Sequence, residues 1–303
     1  MFKKRGGDFI VSILQTDSLT KSYGKARGVI ELNLSVDEGE FFGFIGPNGA
    51  GKSTTIRTLL GLIRPTSGRA LLFGKDISAH RERLLADVGY LPSESSFYNG
   101  MKVGEVLQLS ARLRGKDCSD EARKLCRRLD LDVSRRVETL SLGNRKKVGI
   151  VCALQHRPRL LILDEPTSGL DPLIQRALFE VLEERHRDGA TIFLSSHVLS
   201  EVQRHCARAG IIREGRLIAC GPIDELSRDS ARRVVLHGVS DFPALPGVRS
   251  LEKEANSVSF LYQGPIPALI DRLQGLPLTD VHISEPSLEE IFMHYYEKEG
   301  SAQ

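Results

Sequence analysis

The run Gly46-Pro47-Asn48-Gly49-Ala50-Gly51-Lys52-Ser53 fits the pattern G-x-x-x-x-G-K-[ST] without mismatch. An apolar stretch, 41–45, precedes it, and a helix-compatible stretch follows. In a strand–loop–helix context, glycines let the backbone bend so that successive N–H groups point at phosphate oxygens. The following helix adds its positive N-terminal end. Lys52 supplies a cation to the β- and γ-phosphates, and Ser53 offers a hydroxyl to Mg²⁺. The loop residues Gly46, Pro47, Asn48, Gly49, Ala50, Gly51, Lys52 and Ser53, with Thr54 behind them, are therefore the candidate nucleotide-binding set. Leu160-Leu161-Ile162-Leu163-Asp164-Glu165 supplies a second half. An apolar strand that ends in two acids delivers both carboxylates to the sheet edge where α/β proteins bind ligands. Asp164 is placed to hold Mg²⁺ through water, and Glu165 to polarise an attacking water.

Further motifs narrow the field of nucleotide hydrolases. Leu140-Ser141-Leu142-Gly143-Asn144 resembles the LSGGQ signature of ABC ATPases, and Pro166-Thr167-Ser168-Gly169-Leu170-Asp171 looks like the D-loop of that family. Ser195-Ser196-His197 looks like its switch histidine; a lone histidine is usually structural, but one that follows an apolar strand and two serines reads as a γ-phosphate sensor. Tyr23, in Leu19-Thr20-Lys21-Ser22-Tyr23-Gly24, sits where the family stacks an aromatic ring on adenine. Order and spacing agree over about residues 12–225. Within the family, Gly89-Tyr90-Leu91-Pro92-Ser93-Glu94 and the terminal Glu285-Pro286-Ser287-Leu288-Glu289-Glu290-Ile291-Phe292 resemble the bacitracin-resistance-type ATPases of ABC-2 exporters.

The resemblance implies a P-loop NTPase that binds and hydrolyses ATP with Mg²⁺. It also implies two cassettes facing head to tail, with Ser141, Gly143 and Asn144 of one closing the ATP site of the other. Such a helix N-terminus is a good anion site with no phosphate of its own. An ABC-2-type membrane permease is the implied partner, and the cytoplasmic face of the cell membrane the implied location. Rival readings are a soluble ABC ATPase with a non-membrane partner, or an importer ATPase. Two departures from the family pattern stand out. Ser93 replaces a Gln that in the family reaches Mg²⁺, which leaves either Ser93 to act through a bridging water or the neighbouring Glu94 to take over as ligand, the first being favoured. Leu142 and Asn144 replace Gly and Gln in the signature.

The elements that must position these residues follow from the apolar pattern. The sequence predicts strands at 29–36, 41–45, 70–73, 160–163 and 191–194. Helices are predicted after Gly51 and after Gly143, and at 103–114, 120–129, 172–187 and 198–206. The run 160–163 lacks polar alternation, as a strand buried on both faces does. The resulting fold class is α/β: a P-loop cassette with an inserted helical subdomain at about 93–140 and a small C-terminal α+β appendage. The domain division reads as a basic tail over 1–11, an ATPase domain over 12–227 and an accessory domain over 228–303. Leu288, Ile291, Phe292 and Tyr295 recur at helical spacing behind a capping-box pattern. Asn144-Arg145-Lys146-Lys147 reads as the solvated side of the signature helix.

Composition agrees with such a protein. Hydrophobic residues are 41% and charged residues 27%, enough for a packed core. The net charge of +3, from 42 basic and 39 acidic residues, gives no case for nucleic acid. Five scattered cysteines form no C-x-x-C pair and read as reduced thiols. No stretch approaches the roughly 18 apolar residues of a membrane span.

Overall fold

The computed structural model describes residues 4–5, 8–9, 12–24, 26–228 and 232–284. The predicted helix near 288–295 lies outside them. The chain divides into two compact units, Met1–Cys220 and Gly221–Gln303.

The first unit opens with a short antiparallel pair, β1 (Lys4–Arg5) and β2 (Asp8–Phe9). A long hairpin follows, β3 (Ser12–Tyr23) and β4 (Ala26–Asp37). Next come β5 (Phe41–Ile45), α1 (Lys52–Leu59), β6 (Ser67–Leu72), β7 (Lys75–Asp76), α2 (Ile77–Leu85) and β8 (Val88–Leu91). The helical segment holds α3 (Val103–Leu113), α4 (Ser119–Arg128), a 3-10 turn (Val137–Thr139) and α5 (Leu142–Leu154). The chain then runs through β9 (Leu160–Asp164), α6 (Pro172–Arg187), β10 (Thr191–Ser196), α7 (Leu199–His205), β11 (Arg208–Arg213) and β12 (Arg216–Pro222).

Besides the β1–β2 pair, two larger sheets build this unit. The first has the order β4-β3-β6-β7 and is antiparallel. The second has the order β12-β11-β5-β10-β9-β8, with parallel pairing from β11 through β8. Every residue of β5, β9 and β10 is buried, as expected for parallel strands covered on both faces. One core joins the sheets: Leu14, Leu32 and Val36 from the first meet Phe42, Phe44, Ile162 and Phe193 from the second, with Ile56 and Leu59 of α1. All six predicted helices form, most within a residue or two of the expected ends, and α6 spans 172–187 as expected.

Several elements were not anticipated: β3, β8, β11, β12 and α2. In β3 the reason is local. Ser18 and Glu31 take left-handed conformations (φ 45° and 48°), and the β3–β4 register shifts around them. These irregularities break the period-2 pattern that would have marked the strand.

In the second unit, α8 (Ile223–Arg228) precedes β13 (Arg232–His237), β14 (Val248–Lys253), β15 (Ser257–Tyr262), α9 (Ile266–Leu273) and β16 (Asp280–Ser284). Its antiparallel sheet has the order β14-β15-β13-β16. Val234, Leu236, Val258, Phe260, Tyr262 and Leu269 form a separate core. Among the described residues, no helix is long and apolar enough to cross a membrane.

Candidate functional site

The parallel strands end level with one another. Ser196 of β10 pairs with Ile45 of β5, and Ser195 pairs with Asp164 of β9. Gly46, Glu165 and His197 therefore leave the sheet side by side, at the C-terminal edge where α/β sheets bind ligands. Leu91 of β8 pairs with Leu163, so the loop carrying Pro92 and Ser93 leaves the sheet beside Asp164.

Lys52 opens α1 and is almost fully buried. Its Nζ donates to Gly46 O at 2.5 Å and to Pro47 O at 3.2 Å, and lies 3.2 Å from Glu165 Oε1. Gly51 precedes the helix at φ 110°, a conformation that favours glycine. No side chain caps α1, so its first-turn N–H groups, including those of Ser53 and Thr54, face outward without a side-chain acceptor. Asp164 is buried and its Oδ1 accepts from Ser195 Oγ at 2.9 Å. Glu165 has φ 51°, which ends β9 abruptly. Its Oε2 meets His197 Nδ1 at 2.5 Å. Its Oε1 is buried and touches Lys52, but receives no hydrogen bond. His197 itself is half exposed.

This residue set fits a Mg²⁺–nucleotide. Outward N–H groups and a buried ammonium suit a polyphosphate. The Ser53 hydroxyl and Asp164 carboxylate are the hard oxygen ligands that Mg²⁺ prefers. Glu165 Oε1, ion-paired with Lys52 but not hydrogen-bonded, keeps acceptor capacity that a water would use. Tyr23 ends β3, 47% exposed, with Lys21 Nζ 5.1 Å from its ring centroid. The same hairpin places Gly28 O against Gly51, 3.1 Å from where a Cβ there would stand.

Ser141, Gly143 and Asn144 gather at the start of α5. Ser141 caps α5, its Oγ accepting from Asn144 N at 3.3 Å. Gly169 O would lie 2.6 Å from a Cβ on Gly143, so only glycine lets α5 approach this loop. Asp171 then caps α6, accepting from Ile174 N at 3.1 Å. Among the described residues, no hydrogen bond or ion pair joins Ser141, Gly143 or Asn144 to the 46–54 loop.

One expectation is corrected. Lys146 and Lys147 do not form a solvated face; they are 4% and 8% exposed. Lys146 Nζ donates to Pro92 O, Ser93 O and Asp164 O, and Lys147 Nζ donates to Asp130 O. Burial lowers the Lys146 ammonium to about 8, against the pull of Asp164, Glu165 and Glu94. The sequence signal lay in their i+4 neighbours, since Ile150 and Val151 mark the same faces as core.

Comparison with known proteins places this geometry. The ABC transporter family model matches residues 29–168. The chain is 34% identical over 300 residues to a bacitracin transport ATP-binding protein of Bacillus licheniformis, covering 93% of this chain and 96% of that one. It is 29% identical to a linearmycin resistance ATP-binding protein of Bacillus subtilis, covering 93% and 97%. A solved structure of an ATP-binding subunit of an ABC transporter is similar with a TM-score of 0.67 at 34% identity, over 72% of this chain and 92% of that one. A strand-edge phosphate loop, an Asp-Glu strand end and full-length relatedness at this level lead to one conclusion: the chain belongs to the ABC transporter family, as an ATP-binding and ATP-hydrolysing subunit.

Proposed function

We propose that the chain powers export through an ABC-2-type membrane permease, as one of two identical cassettes on the cytoplasmic face of the membrane. The observation that carries the hydrolytic part is the Glu165 carboxylate. One oxygen is held by His197 at 2.5 Å, and the other is buried, ion-paired with Lys52 at 3.2 Å but not hydrogen-bonded. Such a carboxylate is oriented and ready to take a hydrogen bond from an attacking water. His197 fixes it, and its half-exposed ring would sense the γ-phosphate. Lys52 and the N–H groups of 46–54 hold the phosphates, and Tyr23 stacks on the base. Ser53 and Asp164 would hold Mg²⁺, with Ser93 joining through water. When bound, the ion neutralises charge on the β- and γ-phosphates. Among the described residues, Ser141, Gly143 and Asn144 make no hydrogen bond or ion pair with their own phosphate loop, which supports their serving the ATP of a second copy.

The export reading rests on similarity to the bacitracin and linearmycin proteins. A groove of about 590 Å³ between α2 and α3 supports the permease reading. Phe97, Tyr98, Met101, Leu109 and Leu113 line it, with Tyr98 and Leu113 76% and 80% exposed. An apolar groove with an exposed aromatic at its rim offers a seat for a cytoplasmic helix of the permease. The test uses the chain extracted with its membrane partner. Glu165→Gln is expected to slow hydrolysis by about a hundredfold or more while ATP still binds. Turnover at the parental rate overturns the Glu165 role. Extraction without any polytopic partner overturns the permease reading, and cargo accumulation on the ATP side overturns export.

A further inference from the structure

The β8–β9 ladder stops at Leu91 and Leu163. Beyond it the 92–95 loop has no strand pairing, yet it lies beside Asp164. Lys146 takes over where the ladder ends. Its Nζ donates to Pro92 O at 3.2 Å, Ser93 O at 2.8 Å and Asp164 O at 3.4 Å. An ammonium has three donors and no acceptor, so three carbonyls use it fully. A buried ammonium is costly unless hydrogen-bonded, and the same cost makes this three-point junction hard to open. A second contact holds the loop to the same helix. Ser95 Oγ lies 2.6 Å from where a Cβ on Gly149 would stand, so α5 meets the loop at van der Waals range. Next along α5, Lys147 donates to Asp130 O at 3.2 Å, just past the end of α4. The helix thus holds the loop and β9 through one lysine and the helical segment through the other.

We propose that Lys146 is a positioning residue for ATP hydrolysis: its ammonium fixes the 92–95 loop against the end of β9 and so sets where Ser93 stands relative to Asp164. The proposal rests on the ATPase activity of the chain and not on which permease it serves. Among the described residues, Ser93 has no strand partner and no side-chain hydrogen bond to hold it. Its location follows from its own carbonyl, which Lys146 grips most closely. A side chain at 146 without donors leaves three carbonyls at the sheet edge unpaired, and the loop is then free to move away from Asp164.

The test compares Lys146→Met, which keeps length but loses every donor, with Lys146→Gln, which returns two donors without the charge. Amide hydrogen exchange reads the loop directly. In the full-length Met variant, amides of 93–97 are expected to exchange roughly tenfold faster, with β5 and β10 unchanged. Its kcat for ATP is expected to fall about tenfold, with KM within about twofold at saturating Mg²⁺. The Mg²⁺ concentration for half-maximal hydrolysis is expected to rise about threefold or more. Lys146→Gln should fall between parent and Met in all three readings, and it carries the test if the Met variant does not fold. Unchanged exchange in the loop overturns the proposal. So does a loosened loop with parental kinetics, or faster exchange throughout the cassette with activity lost in proportion. Ser93→Ala separates the two readings: if it is silent while Lys146→Met loosens the loop and slows turnover, Lys146 positions the loop and Ser93 does not serve the metal.

Discussion

Glu165 and His156 illustrate two kinds of charge management in one unit. Glu165 remains within reach of Lys52 and His197, so its charge is compensated at the site. His156, at the far end of α5, has no such partner. It is 4% exposed, its Nε2 meets Val88 O at 3.3 Å, and its Nδ1 has no hydrogen bond. Burial, aided by the Arg114 charge, lowers this imidazole from 6.5 to about 4. A depressed pKa means the unfolded chain binds the proton first as pH falls. The stability that His156 contributes is complete above pH 6.5 and is lost progressively toward pH 4. Between pH 7 and pH 5 this loss is about 2 kcal/mol. Urea unfolding of the parent and of His156→Gln at both pH values checks it, and the parent should lose more stability than the variant by that amount. Equal losses refute it. The phosphate-loop residues, Asp164 and Glu165 were legible because their chemistry is local in sequence. Lys146 was not, because its partners at Pro92, Ser93 and Asp164 are brought in by strands on either side of the helix.

At the scale of elements, burial decided what could be read. Strands β5, β9 and β10 are buried throughout, and their apolar runs at 41–45, 160–163 and 192–194 stand out. Strand β3 mixes polar and apolar residues with bulges, and β8 is four residues long, so neither carries a clear period. The join between α4 and α6 was also invisible in sequence. Arg185 of α6 is 6% exposed and bonds Glu121 of α4, with Asp188 3.9 Å away. Arg128 of α4 pairs in turn with Glu184 of α6 at 2.5 Å. The two junctions should differ in weight. Arg128 and Glu184 are partly solvated, and such pairs contribute little. Removing Glu121 leaves a buried guanidinium without its main acceptor, at a cost of about 3 kcal/mol. Glu121→Leu should therefore lower the unfolding midpoint strongly, and Glu184→Ala only slightly. Adding Arg185→Met to Glu121→Leu should recover most of the loss, because the uncompensated charge goes with it. Equal effects of Glu121→Leu and Glu184→Ala in denaturant unfolding would contradict this ranking.

For the whole molecule, the decisive question is whether the ATP site is complete within one chain. The phosphate loop, Asp164, Glu165 and His197 converge at the edge of one sheet. Ser141 instead caps α5 beside Gly169, with no bond to the 46–54 loop among the described residues. A helix N-terminus that offers N–H groups and a serine hydroxyl, but makes no bond to its own phosphate loop, would suit a phosphate held by another chain. Two-fold pairing satisfies both ends at once, since each chain then gives and receives the same contact. Mixing two inactive variants tests the arrangement. Lys52→Ala removes the cation at a chain's own phosphates, and Ser141→Arg crowds the phosphate of its partner. Each alone should hydrolyse almost nothing, because every site in its homodimer carries the same lesion. In a mixed dimer, one site combines the intact Lys52 of one chain with the intact Ser141 of the other. The second site then carries both lesions. Random pairing makes half the dimers mixed, so equal mixing should restore about a quarter of parental activity if the sites turn over independently. The Ser141→Arg chain should also bind ATP as a monomer as well as the parent does. Loss of that binding, or no recovery at any mixing ratio, would mean that Ser141 serves its own chain and that the site does not span two copies.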